Sequence, residues 1–128
     1  ILLDTQDYRG YSKAGVALWE KDYVEEALVS FHKAVELNPE NSFSYNNLGI
    51  IYLDGLGDAE EALDYFEEAI SLNPNYTLAY YNAARASEVM GFTNDAANYY
   101  QSAIDLNRVT EDLDEYDITR RLRKLFEA

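Results

Sequence analysis

Few residues of this chain have the type and spacing that chemistry needs. His32 is the only histidine and there is no cysteine, which leaves a single imidazole as candidate general base and removes thiolate nucleophiles, thiolate metal sites and disulfides. His32 follows Phe31 within "VSFHKAVEL", a run with helical periodicity, and is read as a surface or boundary residue. "DGLGD" at 54–58 has glycines, but neither the lysine nor the strand-to-helix setting of a phosphate loop. The oxygen-rich "EDLDEYD" at 111–117 lacks the turn glycine and distal bidentate glutamate of a calcium loop and reads as a solvated helix start. "NYT" at 75–77 has the form of a glycosylation acceptor at the start of a predicted helix. No catalytic constellation, metal or cofactor is expected, and the chain is read as non-enzymatic.

The elements that would position any binding residue follow from composition and periodicity. The 128 residues include 24 acidic and 10 basic side chains, a formal net charge of -14. That charge repels nucleic acid and anionic membranes, so neither is an expected partner. No apolar run approaches the ~20 residues of a membrane span, and "ILLDTQD" at the start is too short and acidic for a signal peptide. The chain does not begin with methionine, which is read as the mark of an excised or processed fragment. Its compartment is unassigned, with the soluble cytoplasm as default.

A phrase recurs along the chain: "ELNPENSFSYNNLG" at 36–49 and "SLNPNYTLAYYNAA" at 71–84, with a truncated "DLNR" at 105–108. Aligning the copies brings together Tyr11, Tyr45 and Tyr80, then Gly15, Gly49 and Ala84, then Ala27, Ala62 and Ala96. Phe31, Phe66 and Tyr100 follow, then Ala34, Ala69 and Ala103. The period is 34 or 35 residues, and the extra residue of the second unit is expected in the glycine-bearing "LDGLGD" loop. Within a unit the apolar and small residues keep three-and-four spacing, so each unit is a helix pair. Gly15, Ala27 and Ala34 are small enough for the pair to approach closely, with Tyr11 and Phe31 filling the space between. Asp22 with Glu25, and Asp58 with Glu61, have capping-box spacing. Pro39 and Pro74 end their helices and bias Asn38 and Asn73 away from helical geometry. After Arg108, "VTEDLDEYDITRRLRKLFEA" carries an apolar stripe of Leu113, Ile118, Leu122, Leu125 and Phe126, with acids at its start and bases at its end. It is predicted to form a seventh, solvating helix.

A repeat of this length, with an aromatic, a small residue and then Ala-x-x-x-Phe, resembles the tetratricopeptide repeat family. The motif stands as "YSKAGVAL", "ALVSF" and "ELNP", then "YNNLGIIY", "ALDYF" and "SLNP", and departs from its pattern in "YYNAARAS", "AANYY" and "DLNR". "LGIIYLDGLG" is also similar to the related Sel1-like repeats. The resemblance implies an all-α, right-handed α-solenoid of about seven helices. Its units are 8–41, 42–76 and 77–109, a cap covers 110–128, and residues 1–7 align with the end of an upstream repeat.

The resemblance further implies a protein-protein interaction scaffold, in which the first helix of each unit lines a concave groove that takes a partner peptide or helix. The expected lining is Arg9, Lys13, Val16 and Trp19 from the first unit, Phe43, Asn46, Asn47 and Ile50 from the second, and Leu78, Tyr81, Asn82 and Arg85 from the third. Asn47 and Asn82 hold equivalent places, where an amide can donate to and accept from a peptide backbone. Trp19, Phe43, Ile50 and Tyr81 are the candidate anchors, while Trp19 and Leu53 also suit packing inside their own repeats. Family members that grip a chaperone C-terminal carboxylate use a Lys, Arg and Asn clamp. Its positions here are Ser12, Val16, Asn47, Leu78 and Asn82, with no cation among them, which argues against such a tail. The rival expectations are self-association into a homo-oligomer through the cap or the exposed ends of the array, and service as a regulatory interaction segment of a larger protein.

Overall fold

Glycine and alanine set how closely the helices of this chain approach. A Cβ added at Gly15 would stand 2.6 Å from the ring of Phe31, and one at Gly49 would collide with the ring of Phe66. Both rings are essentially excluded from solvent, so each glycine is the space in which an aromatic of the paired helix lies. The computed structural model describes residues 7–127. Within them run α1 (Asp7–Glu20), α2 (Val24–Leu37), α3 (Ser42–Ile50), α4 (Ala59–Leu72), α5 (Thr77–Val89), α6 (Thr93–Thr110) and α7 (Glu115–Lys124). No strand occurs among the described residues. The expected upstream repeat end at 1–7 falls almost wholly outside them.

The helices pair as α1 with α2, α3 with α4 and α5 with α6, and neighbouring pairs meet through α2 and α3 and through α4 and α5, with α7 closing on α6. The architecture is a right-handed α-solenoid whose core runs as three clusters, bridged by the half-buried Tyr52 and Tyr99. Each of Phe31, Phe66 and Tyr100 centres one cluster: Phe31 lies with Ala27, Leu48 and Ile51, Phe66 with Ala59, Ala62, Ala83 and Ala86, and Tyr100 with Ala84, Ala96 and Ala103. Tyr11 does not join Phe31 as expected, being 39% exposed. Leu48 and Ile51 of the next unit take that role, because among the described residues no earlier unit covers the outer face of α1. Tyr45 and Tyr80, each one repeat further on, are partly buried against the core.

The turns between units follow the "LNP" phrase. Asn38 and Asn73 leave helical geometry, and their side chains accept from the amides of Glu40 and Asn75 at 3.2 Å. In the third copy, where arginine replaces proline, α6 keeps its amide donors and runs on to Thr110, ending on Glu111 in left-handed geometry. Asn107 takes a different role there. Buried, it donates to the Leu113 carbonyl and accepts from the Leu113 amide, both at 2.7 Å, fixing the link into α7.

Two expectations about the turns inside units are corrected. Asp22 is not a helix cap: it has φ +65°, and Tyr23 holds the cap position without a side-chain bond. Asp22 aligns with Gly57 and Gly91, which also have positive φ, so this turn needs a left-handed residue immediately before the N-cap. Asp58 does cap α4, accepting from the Glu61 amide at 3.1 Å. The extra residue of the second unit is not taken up by a loop. α3 continues into a π-helical turn, Ile51–Gly55, whose wider winding absorbs it.

Candidate interaction site

The first helices of the units lie side by side, joined by polar contacts. Ser12 of α1 and Ser44 of α3, both buried, share a hydrogen bond of 2.9 Å. Between α3 and α5, Asn82 donates through Nδ2 to Asn46 Oδ1 at 3.1 Å. Asn82 Oδ1 accepts in turn from Arg85 Nη1 at 3.3 Å, and Arg85 pairs with Asp54 of the π-turn at 2.6 Å. The last pair of this chain, Arg85 and Asp54, lines a cleft of about 380 Å³ together with Leu53, Glu88, Val89 and Arg121. Tyr100 donates to Glu88 at its edge, 2.8 Å away, and burial, reinforced by that carboxylate, pushes the Tyr100 phenol up.

α7 enters the site as well as capping the stack. Ile118 packs with Ala103, Ile104 and Tyr100, with Leu122 and Leu125 beside it. The opposite flank of α7 turns Asp117 and Arg121 toward α5. Tyr81 donates to Asp117 Oδ2 at 3.2 Å, and the Arg121 guanidinium lies 5.5 Å from the centre of the Tyr81 ring. Arg120, with Arg121, holds the Asp117 carboxyl below its ordinary range, while burial raises the Tyr81 phenol.

The expected groove residues divide by accessibility. Arg9, Lys13 and Phe43 are exposed. Val16 and Trp19 are half-buried against the core beneath α1 and α3, the Trp19 ring also facing Gly55 across the unit boundary. Leu53 is buried in the second unit's core, with Ile50 packed beside it. Leu78 and Arg85 are half-buried. Asn46 and Asn82 are buried and bonded to each other. Asn47 remains part-exposed, with its amide nitrogen donating to the Phe43 carbonyl at 2.9 Å. Arg121 and Asp117 were missed by sequence reasoning, which treated their segment as solvated. Their signal is the stripe of α7: Ile118, Leu122 and Leu125 face the core, so residues 117 and 121 fall on the flank of that stripe.

The other motifs with chemical promise are engaged in structure. Thr77 of "NYT" is fully buried and shares a 2.9 Å hydrogen bond with Thr110. Within "EDLDEYD", Asp114 caps α7 by accepting from the Tyr116 amide at 3.0 Å. Glu111 instead ends α6, so the solvated helix start is narrower than expected.

Residues 8–41 and 44–76 match the tetratricopeptide repeat model. The chain belongs to the tetratricopeptide repeat family. Among curated proteins no sequence relative is found. Solved structures of the same fold include the first tetratricopeptide domain of Spaghetti (RPAP3) bound to the HSP90 peptide SRMEEVD. Its TM-score is 0.87 at 23% identity, covering 98% of this chain and 94% of that one. The TPR2B domain of yeast Sti1, in complex with pHsp70, has a TM-score of 0.88 at 19% identity, covering 94% and 96%. The Yersinia enterocolitica type III secretion translocator chaperone SycD has 0.89 at 13%, covering 97% and 86%. At these identities the likeness is one of fold. No helix among the described residues is long and apolar enough to cross a membrane.

Proposed function

We propose that this tetratricopeptide array is a non-enzymatic protein-interaction module whose groove, along α1, α3 and α5, receives an extended or helical segment of a partner protein. The observation that carries the reading is the cleft in which the apolar side chains Leu53 and Val89 stand among charged groups from the π-turn, α5 and α7. Apolar contact area beside a few fixed polar groups is what peptide grooves require. The peptide complexes of fold neighbours support docking on this architecture.

In this reading Arg9, Lys13 and Phe43 are the open contacts at one end, and Asn47 offers its amide oxygen to a peptide amide. Val16, Trp19, Ile50, Leu78 and Tyr81 supply the apolar floor. Asn46 and Asn82 act beneath that floor by fixing Arg85. The clamp positions Ser12, Val16, Asn47, Leu78 and Asn82 carry no cation, so a chaperone C-terminal tail is not the proposed partner. The net charge of -14 argues equally against nucleic acid.

Once a partner is isolated by affinity capture and mass spectrometry, a Lys13→Glu, Phe43→Asp double variant tests the groove. Both side chains are exposed, so the fold should hold. Partner affinity should fall by about tenfold or more, equivalent to at least ~1.4 kcal/mol. A folded variant that binds its partner undiminished would contradict the assignment.

A further inference from the structure

If the groove takes a partner segment, its central arginine is already occupied. Arg85 Nη2 lies 2.6 Å from Asp54 Oδ1, and Nη1 lies 3.4 Å from Asp54 Oδ2. A planar guanidinium meets a carboxylate in this two-pronged way wherever arginine serves as an anion receptor. The receptor is aimed from behind, because Nη1 also donates to Asn82 Oδ1 and Asn82 is held by Asn46. Asp54 therefore stands where the carboxylate of an incoming segment would go.

Stability alone does not account for the pair. Its members are 27% and 36% exposed, and ion pairs so accessible to water contribute little. Asp54 belongs to the π-turn that absorbs the second unit's extra residue, and it reaches across a unit boundary to a residue 31 positions away. The second cation of the cleft is engaged too, since Arg121 Nε donates to Asp117 at 3.2 Å.

We infer that Asp54 is an internal competitor for Arg85, setting the groove against acidic partner segments, which enter this cleft only by displacing it. The partner chemistry that follows is a segment presenting apolar and uncharged side chains, rather than a carboxylate, between Leu53 and Val89. This rests on the groove reading above, but its test needs no partner.

The test follows the Arg85 Nε–H signal by NMR in the full chain, titrated with N-acetyl-glutamate α-amide, whose only carboxylate is the side chain's, and with N-acetyl-glutamine α-amide, which has none. In wild type, glutamate should perturb Arg85 only weakly. In Asp54→Asn it should shift the signal saturably, with Kd lowered about fivefold or more, while glutamine does nothing in either protein. A second variant, Asp54→Ser, guards against an effect peculiar to the new amide, and Arg85→Gln added to Asp54→Asn should abolish binding. Equal glutamate affinity in wild type and both Asp54 variants, or no saturable shift in any of them, overturns the inference. Either result leaves partner docking to be judged by its own experiments.

Discussion

His32 is the only histidine, and its ring meets Tyr52 and Tyr65 edge-on at centroid distances of 6.3 and 6.1 Å. Its Nε2 lies 3.2 Å from the Tyr52 hydroxyl. Burial lowers its pKa below the ordinary 6.5, opposed by the Glu61 carboxylate. The neutral ring is thus the form the fold prefers, and the resulting stability is fully present above 6.5 and is lost as the pH falls through the lower folded value. Thermal unfolding midpoints should therefore fall as pH drops from 7 toward 5, and His32→Gln should flatten part of that slope; an unchanged slope would remove His32 as its source. Reading a surface or boundary histidine from its neighbour Phe31 was feasible because that rests on helical spacing alone. The Asn46 to Asn82 bond was not legible. Aligned positions pair Asn47 with Asn82, whereas hydrogen bonding depends on how each helix is rotated about its axis, and that is settled by the packing of Leu48, Gly49 and Ala83.

Among the elements, the helices and the roles of Gly15, Gly49, Pro39 and Pro74 could be read because each follows from local sterics. The turn inside each unit could not, since an acid before a helix fits both a cap and a left-handed turn residue. The backbone separates them: Asp22 at φ +65° corresponds to Gly57 at +68° and Gly91 at +81°. Left-handed geometry costs a side chain about 1 kcal/mol, and glycine returns about half of that gain through its freer unfolded chain. Asp22→Gly should then stabilise the protein by about 0.5 kcal/mol, raising the urea midpoint without altering the slope. A fall in the midpoint would mean that the aspartate carboxylate contributes something beyond conformation. The π-turn was hidden for a related reason. A one-residue excess gives its approximate place but does not distinguish a longer loop from a wider helical turn, and the core positions of Ile51 and Leu53 favour the latter by keeping both side chains inward.

At the scale of the molecule, the stack joins repeated helix pairs side by side, and α7 both seals the last pair and adds Arg121 to the cleft beside Arg85. Away from the cleft, α4 carries Glu60, Asp64, Glu67 and Glu68 in exposed positions, a strongly acidic face. The repeat period was enough to read the array. It did not reveal the contribution of the cap, because a final helix has no second copy against which to align. The central claim, that a partner segment lies along α1, α3 and α5, is tested most directly by placing a photo-crosslinking benzoylphenylalanine at Phe43 in the groove and, separately, at Asp64 on the acidic face. Crosslinks to one defined segment of a partner from position 43, and none from position 64, are the predicted result. The same segment captured from position 64, with none from 43, would contradict it.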